Sequence, residues 1–476
     1  MDVSGFTKNV SYAFVAQVIS LFASLVTSLV VPKVLDSEQF GFWQLFIFYS
    51  SYVGFFHFGL NDGVYLIKGG KTRDEIEHDE IKAQFFCGLV LETLIALVIS
   101  LFAIAFCDEG NRVFVLCATA VYLVLKNSSD YFGYVFQATN ETRLYSVFSI
   151  IDRICFLALL LVLICFNSPA FQPYVISYLF ARTIGMIYSL IKAREYLNAP
   201  AIGVQKAIIL AIDSIKVGIK LLLANLTSML ILGFGRFLVD EVWGIVTFGQ
   251  LSLALSLVNF VLVFATQFAM VLFPALRQLK RRERLFVFTS IKDFLYIATP
   301  MLYLLYFPVF LLVRWWLPSY SDMAAYLGLL LPICVFDVKM NLLGATFLKV
   351  LRREGLLLVC NAICLALSMC LSIIGVYSLG DIVFVVIGMV ICIVLRSVLA
   401  DGMLSYLMDL PLFTIKQAVE ICLTAAFMLA VTLMPLKQAF LIVLAFCLIY
   451  LLLSRKTLNR VFEIVSNQLL RKETSK

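Results

Sequence analysis

The 476-residue sequence is poor in charge: Asp, Glu, Lys and Arg make up only 14% of it, whereas 62% of its residues are hydrophobic. A soluble domain of this size would lack the polar surface that must face water, so the composition excludes a soluble protein. We predict an all-α polytopic membrane protein, because apolar stretches long enough to cross a ~30 Å hydrocarbon core as helices recur along the chain. We count fourteen such spans, although twelve or thirteen stay open because the last two are the shortest. The predicted spans 1 to 14 are residues 10–31, 41–60, 83–106, 113–135, 147–166, 174–191, 217–239, 245–272, 293–316, 324–348, 355–377, 382–400, 417–433 and 438–454.

The sequence is also poor in catalytic and metal-binding motifs. It has only two histidines, His57 and His78, and no P-loop motif that would bind ATP. Its twelve cysteines include no C-x-x-C pair, so neither a disulfide framework nor a zinc site is indicated. The predicted outer connections, such as 107–112 and 434–437, are too short to hold a catalytic domain. We therefore expect a protein that is not an enzyme and that has no metal or organic cofactor.

Lys and Arg are rare in every second connection between the spans. With the N-terminus in the cytoplasm, 27 of the 37 Lys and Arg residues, Arg396 among them, fall in inner segments, and only Lys33, Arg112 and Lys437 fall in outer segments. The positive-inside rule then places both termini in the cytoplasm. The net charge of +7 reflects this topology, so we expect no nucleic-acid partner. All four tryptophans lie at predicted outer ends, as an aromatic belt would place them: Trp43, Trp243, Trp315 and Trp316.

An internal repeat divides the chain. A shift of 208 residues places Ala16 on Ala224, and it places Phe40-Gly41 on Phe248-Gly249. Spans 1 to 6 thus echo spans 7 to 12, and six helices per repeat make the repeats parallel, related by a pseudo-twofold axis along the membrane normal. Two such bundles leave a central cavity that opens to either side, which is a transporter architecture. We predict two six-helix lobes, two C-terminal helices and a basic cytoplasmic tail, at residues 1–205, 206–410, 411–454 and 455–476.

Seven cations fall inside the predicted spans, where each costs at least ~2.5–3.5 kcal/mol and usually faces a bundle interior or a watery cavity. They are Lys126, Arg153, Arg182, Lys220, Arg236, Arg314 and Lys339. A polytopic protein that keeps cations there is expected to hold or move an anionic cargo. Lys220, Arg236 and Arg314 lie within about a turn of a span end, so snorkelling to the headgroups is the alternative for each.

Five of these cations are the candidate substrate-binding residues: Arg182, Arg153, Lys339, Lys126 and Arg236. Arg182 comes first, because it lies mid-span with no acid within four residues on its helix. Lys126 is expected to pair with Asp130 one turn away. Arg153 directly follows Asp152 and lies two turns into span 5.

Buried acids and a polar pair are the candidates for coupling or gating. Lys339 and Asp337 share span 10 but face different sides of the helix, so Asp337 must find a partner on another helix or bind a proton. Glu92 is the remaining buried acid of the predicted spans. Glu92 and Asp337 either serve proton coupling or belong to structural ion pairs. Asn61 and Asp62 end span 2, where they either terminate the helix or gate the inner mouth.

Prolines are distributed unevenly between the two halves. Pro300, Pro308 and Pro332 fall inside spans 9 and 10, whereas spans 1 to 6 contain no mid-helix proline. Because proline removes a backbone hydrogen bond and kinks a helix, we predict that the second lobe bends more during transport.

Several runs of the sequence resemble one transporter family, and they are spread over most of the chain: Asn9–Gln17, Phe40–Phe46, Phe58–Tyr65, Phe136–Asn140, Gly218–Phe237, Trp243–Gly249 and Leu272–Arg277. The family is the bacterial oligosaccharide-lipid (O-antigen type) flippases of the multidrug/oligosaccharidyl-lipid/polysaccharide exporter superfamily. The resemblance implies two six-helix lobes plus two extra helices. It also implies translocation of a polyprenyl-pyrophosphate-linked oligosaccharide to the outer leaflet of the bacterial cytoplasmic (inner) membrane. The related multidrug exporters typically carry an acid in the first helix, whereas Val10–Val31 has no acid and offers only Gln17 in its place.

Three functions stay open on this evidence. The first is a flippase working by alternating access, with lipid-linked oligosaccharide and membrane lipids as partners, glycan polymerase or assembly proteins beside it, and coupling to H+ or Na+. The second is a cation-coupled small-molecule or drug antiporter of the same fold, which predicts cationic substrates and an essential acid. The third is a non-transporting scaffold for a glycan assembly complex.

Overall fold

The computed structural model describes residues 3–320 and 323–460. The chain is 89% helical, with fourteen long helices and no strand in this described part, which confirms the all-α prediction. The predicted tail therefore lies largely outside the described residues, with Arg471, Lys472 and Lys476. The fourteen helices are α1, Val3–Leu29; α2, Ser37–Tyr52 and Leu60–Lys68; α3, His78–Phe106; α4, Gly110–Ala138; α5, Thr142–Cys165; α6, Gln172–Lys192; α7 and α8, the parts of Val204–Gln278 before and after Gly244; α9, Arg281–Leu304 and Tyr306–Trp316; α10, Met323–Lys339 continuing through Met340–Ala345 to Thr346–Val350; α11, Glu354–Ile373 continuing through Ile374–Leu379; α12, Ile382–Leu407; α13, Ile415–Leu433; and α14, Leu436–Leu453.

All fourteen predicted spans fall on these helices. Eleven helices are long and apolar enough by themselves to cross a membrane, counted over the described residues, and they include the two shortest, α13 and α14. The other three are α2, which is broken, and α7 and α8, which follow each other through a kink at Gly244 with φ 81° and ψ 178°. The left-handed φ of that kink is available to glycine without steric cost, so Gly244 turns the chain between the two helices.

The break in α2 corrects the predicted end of span 2. A 3-10 turn, Val53–His57, is followed by Phe58 and Gly59 in the left-handed region, with φ 51° and 92°. The helix then restarts at Leu60 and continues to Lys68. Nδ1 of His57 accepts the Gly59 N–H at 2.9 Å, which satisfies a backbone donor that the break releases. Asn61 and Asp62 therefore begin a second helical piece and do not terminate the span.

The helices form two compact units. Unit 1 consists of Met1–Leu226 and Trp243–Gly249, and unit 2 consists of Thr227–Val242 and Gln250–Lys476. One apolar cluster of unit 1 joins α2, α3 and α4 through side chains such as Leu60, Phe85 and Phe132. In unit 2, a comparable cluster joins α9, α10 and α12.

The tryptophans do not share one environment. Trp315 is 75% exposed, as the predicted aromatic belt requires. Trp43 is fully buried in unit 1, where its ring stacks on Phe156 with centroids 6.1 Å apart and meets Tyr178 edge-on. The belt prediction is therefore wrong for Trp43, which is a core residue that fixes α2 against α5 and α6.

A candidate substrate-binding charge network

Five charged side chains of α4, α5 and α6 meet inside unit 1, and we call them the unit 1 network: Lys126, Asp130, Asp152, Arg153 and Arg182. Lys126 and Asp130 lie one turn apart on α4, and their Nζ and Oδ2 atoms are 2.5 Å apart, which confirms the predicted pair. Arg182 of α6 reaches Asp130 at 2.5 Å and Asp152 of α5 at 3.3 Å. Three helices therefore share one set of ion pairs.

Arg182 is a buried member of the unit 1 network and makes several polar contacts. It is 6% exposed, donates a third hydrogen bond to the carbonyl of Lys126 at 3.3 Å, and lies 4.7 Å from the ring centroid of Phe148. Arg182 has no acid nearby on its own helix, but it forms two ion pairs because both carboxylates come from neighbouring helices. Nη1 and Nη2 of Arg182 bond two acids and a carbonyl, so Arg182 orients the network, and its buried Nε is the guanidinium donor without a partner in the described structure.

Lys126 is a more accessible cation of the unit 1 network than Arg182. Its side chain keeps 27% of its surface exposed, against 8% for Arg182. The ammonium lies over Gly54 in the 3-10 turn of α2, where an added Cβ would be 3.7 Å from Nζ. Arg153 is half-buried and hydrogen-bonds Tyr178. Since three cations face two carboxylates, the network carries one net positive charge in a largely apolar surrounding.

The predicted coupling and gating residues of unit 1 border this network. His57 is 6% exposed, and its Nε2 lies 3.8 Å from Oδ2 of Asp62. Asn61 donates to the carbonyl of Asn127 at 3.3 Å, across the break in α2. Glu92 of α3 is 2% exposed and accepts a hydrogen bond from a neighbouring hydroxyl of α4 at 3.4 Å.

The predicted cation Lys339 belongs to a second set of ion pairs, in unit 2. It pairs with Glu420 of α13, and Lys292 of α9 pairs with Asp401 of α12 at 2.7 Å. Both pairs line one cavity of about 20 Å³, which is room for about one water molecule. We call these four residues, together with Asp337 and Arg396, the unit 2 network.

Asp337 finds its partner on another helix, as its spacing from Lys339 required. The partner is Arg396 of α12, which also donates to Ser228 at 2.5 Å. Arg396 is 4% exposed inside its helix. Its assignment to an inner segment is therefore wrong, as the predicted bounds of span 12, 382–400, already indicated, and Arg396 is a buried cation besides the seven predicted ones.

Glu420 is the other important omission, since Glu92 was taken as the remaining buried acid. It is 2% exposed and accepts a hydrogen bond from the Thr299 hydroxyl at 2.9 Å, besides its pair with Lys339. A sequence signal existed, because Lys416, Gln417, Glu420 and Thr424 form a polar stripe along one side of an otherwise apolar helix.

The remaining predicted cations lie apart from both networks. Arg236 donates to the Ser252 hydroxyl at 2.9 Å within unit 2. Lys220 and Arg314 are exposed, in agreement with side chains that snorkel from the ends of spans. Of the five candidate substrate-binding cations, unit 1 thus brings Lys126, Arg153 and Arg182 together.

Glycines bring α2 into backbone contact with the starts of α7 and α8, in two places within unit 1. In the first, the Gly41 contact, an added Cβ on Gly41 would lie 2.5 Å from the Ile245 carbonyl oxygen, and one on Gly249 would lie 2.9 Å from Cα of Gly41. In the second, the Gly63 contact, an added Cβ on Gly63 would lie 1.9 Å from the Ser214 carbonyl oxygen. Only glycine allows approaches this close. The Gly41 contact joins the two copies of the repeated Phe-Gly pair.

A further cluster holds the connections at the predicted inner side of unit 1. Arg73 contacts Glu141 at 2.8 Å and Glu195 at 3.0 Å, and its guanidinium lies 5.2 Å from the ring centroid of Tyr196. The hydrogen bond from Arg73 lowers the pKa of Glu195. Nearby, the Lys68 ammonium lowers the pKa of Glu77 to about 2.

The sequence matches the family described as "Polysaccharide biosynthesis protein" over residues 6–280, which is more than half of the chain. No curated protein gives a significant sequence match. Among solved structures, the fold is similar to an inward-facing multidrug resistance MATE family transporter of the MOP superfamily, with a TM-score of 0.61 and 11% identity over 83% of this chain and 94% of that one. It is also similar to the lipid II flippase MurJ in an inward closed conformation, with a TM-score of 0.57 and 11% identity over 95% of this chain and 100% of that one. A mutant of the Vibrio cholerae MATE transporter VcmN gives a TM-score of 0.53 and 15% identity over 85% of this chain and 98% of that one.

At 11% to 15% identity these likenesses establish the fold. Together with the apolar helices, they make the chain a multi-pass membrane protein with the fold of the MOP superfamily, and the family match confirms the resemblance seen in the sequence. Family and fold together indicate a transporter or flippase. The chain belongs to the polysaccharide biosynthesis protein family.

Proposed function

We propose that the protein flips a polyprenyl-pyrophosphate-linked oligosaccharide, an O-antigen or similar surface-glycan repeat unit, from the inner to the outer leaflet of the bacterial cytoplasmic membrane. Both termini are cytoplasmic in this proposal, and the mechanism is alternating access without a catalytic step. Glycan polymerase or assembly proteins are the proposed partners. The family match supports a role in polysaccharide synthesis, and the fold supports transport.

The observation that carries the proposal is the net positive charge of the unit 1 network. A cation inside a membrane is retained when it has an anion to bind, because its desolvation is otherwise uncompensated. Lys126 and Arg153 are the members that keep partly accessible side chains, and their charges suit the pyrophosphate of the substrate. Lys126 is therefore the proposed substrate contact, and Arg182 positions it through Asp130.

The drug-antiporter alternative fits the same geometry less well. An antiporter for cationic compounds needs an acid that faces its substrate. The two acids beside Lys126 and Arg182, Asp130 and Asp152, are already paired, so an antiporter would have to use Glu92 or Asp62 instead. The middle of α1 also offers Gln17 where the multidrug exporters typically carry an acid. These observations favour an anionic substrate.

Complementation in a strain that lacks the gene tests the proposal. Deletion should accumulate lipid-linked repeat units in the inner leaflet, and Lys126→Ala should fail to restore export while Lys126→Arg retains part of it. Lys220→Ala is the matched control, because Lys220 is an exposed cation near a span end. Normal glycan export in the deletion strain, combined with altered drug resistance, would favour the antiporter and overturn the flippase.

A further inference from the structure

Two buried acids of unit 1 differ from the others. Asp152 pairs with Arg182, but Glu92 has no Lys or Arg within 4 Å among the residues that the structure describes, and Asp62 has only His57, at 3.8 Å. An ionised carboxylate without a compensating charge is costly in an apolar interior. Glu92, at 2% exposure, must therefore be neutralised either by a proton or by a cation from outside the polypeptide.

Glu92 lies beside a hydroxyl of α4 and beside the restart of α2. Ser128 of α4 lies 3.4 Å from Oε2 of Glu92. An added Cβ on Gly88 would lie 3.8 Å from Oε1 and 2.9 Å from Cδ2 of Leu60, so the carboxylate lies beside the restart of α2. The charge of Asp130 on α4 acts on Glu92, and it is also negative.

Two asparagines beside the break in α2 carry further acceptor oxygens. Asn61 is 1% exposed and Asn127 is fully buried, and the Oδ1 atom of each has no hydrogen-bond donor in the described structure. Their orientations are fixed, because Nδ2 of Asn61 donates to the Asn127 carbonyl at 3.3 Å and Nδ2 of Asn127 donates to the Val53 carbonyl at 2.9 Å. A flipped amide would place oxygen against oxygen. Both Oδ1 atoms thus lack partners for a physical reason, and buried acceptors without partners are rare.

A broken helix completes the pattern. Within a membrane, irregular backbone is tolerated where it lines a cavity or an ion site, since the released carbonyls coordinate cations. The 3-10 turn Val53–His57 and the restart at Leu60 form such a break, and Asn61 and Asn127 connect across it. Oxygen ligands around a single carboxylate suit a small monovalent cation, because divalent cations generally take more carboxylates.

We propose that unit 1 binds a sodium ion at the break in α2, with oxygen ligands from Glu92, Ser128, Asn127 and Asn61. The ion neutralises Glu92 and occupies the acceptor oxygens of both asparagines. This inference deepens the proposed function, since the ion would couple its gradient to flipping. The site itself is independent of the substrate, because it shares no residue with the unit 1 network.

Sodium binding to the purified full-length protein tests the site without any lipid substrate. Radioactive ²²Na⁺ should bind saturably, and NaCl should raise the thermal unfolding temperature more than choline chloride at equal ionic strength. Glu92→Gln and Asn127→Ala should each weaken Na⁺ binding at least about tenfold, as the loss of a metal ligand does. Thr93→Val is the matched control, because Thr93 lies beside Glu92 on α3 but is exposed and bonds only its own helix.

Two results would overturn the site. One is Na⁺ binding that is unchanged in both variants while the variants remain folded. The other is no Na⁺ dependence at all, with a proton taken up by Glu92 in its place, which a pH-dependent unfolding temperature lost in Glu92→Gln would reveal. If Na⁺ binds as expected but the deletion strain exports glycan normally, the flippase proposal fails and the ion site stands.

Discussion

The two units bury charge in different ways. In the unit 2 network each cation has its own acid on another helix: Lys292 with Asp401, Lys339 with Glu420 and Arg396 with Asp337. In unit 1, Lys126 and Arg182 share Asp130 and Asp152, whereas Arg153 has no acid and Glu92 has no cation within 4 Å among the described residues. A network in which every cation has its own acid stabilises the structure, and here it joins α9 to α12, α10 to α12 and α10 to α13. A network with unequal numbers of cations and acids keeps a net charge that can bind a ligand of opposite sign.

The glycines of the two units also differ, in the kind of atom that an added methyl group would meet. In unit 1, an alanine methyl at Gly63 would meet a backbone oxygen at 1.9 Å, which cannot move without shifting a helix. In unit 2, a methyl at Gly344 would first meet the Sδ of Met340 at 2.7 Å, the far end of a flexible side chain. Unit 1 therefore depends on close helix crossings, whereas unit 2 has neighbours that can rearrange.

The largest expected effect follows from this difference. We expect Gly63→Ala to abolish complementation and to destabilise the protein by about 3 kcal/mol, the upper end of overpacking costs. Gly344→Ala should cost less than about 1 kcal/mol and remain active, because Met340 can adjust. Gly110→Ala is the control, since no atom lies within 4 Å of its added methyl. If Gly63→Ala and Gly344→Ala were tolerated equally in thermal unfolding and export assays, the proposed difference between the helix crossings of the two units would be wrong.

Removing Arg182 should have the next largest effect. Arg182→Ala leaves Asp130 and Asp152 buried with only Lys126 and Arg153 nearby, and breaking a buried pair costs about 3–5 kcal/mol. We expect a lowered unfolding temperature together with lost export, and Arg182→Lys should recover part of both. The unit 2 counterpart is the double variant Lys339→Met with Glu420→Gln, which removes a pair as a whole. It should retain export, and a loss as severe as that of Arg182→Ala would show that unit 2 also handles substrate.

Lys126 should affect transport more than stability. Its side chain is partly exposed, and its loss leaves Asp130 paired with Arg182. A charged hydrogen bond to phosphate is worth about 1.5–3 kcal/mol, so Lys126→Ala should slow flipping about 10- to 100-fold in reconstituted vesicles. The unfolding temperature should change little. A variant that unfolds early but flips at the normal rate per folded molecule would contradict the proposed role of Lys126.

Hydropathy was sufficient to predict the fourteen helices, because a membrane span must satisfy its backbone within one apolar segment. The Lys126–Asp130 pair was predictable for a similar reason, since it is local to one helix. The partners of Arg182 and Lys339 were not, because they come from helices that are distant in sequence. Trp43 was misplaced since its position near a span end does not reveal which neighbours cover it.

The break in α2 shows a second limit of the sequence. Pro300 and Pro308 flank the interruption of α9 between Leu304 and Tyr306, so proline marked that site correctly. The break in α2 has no proline and rests on Gly59 and on the hydrogen bond that His57 accepts. A lone glycine in an apolar run is too common to mark a break, and the prediction that the second lobe bends more during transport stays a prediction.

The smallest expected effect concerns ion pairs outside the spans. In unit 1, Lys68 is 7% exposed and lowers the pKa of Glu77 from 4.5 to about 2. Because the folded-state pKa is depressed, the pair stabilises the protein above pH 4.5, and this stabilisation is lost as the pH falls towards 2. In unit 2, Arg281 and Asp409 pair at 2.5 Å, but both side chains are more than three-quarters exposed, so water screens them. Glu77→Gln should therefore lower the unfolding temperature slightly at pH 7 and weaken the decline of the unfolding temperature in acid. Asp409→Asn should change neither quantity. Equal responses of the two variants would show that burial of Lys68 does not strengthen its ion pair.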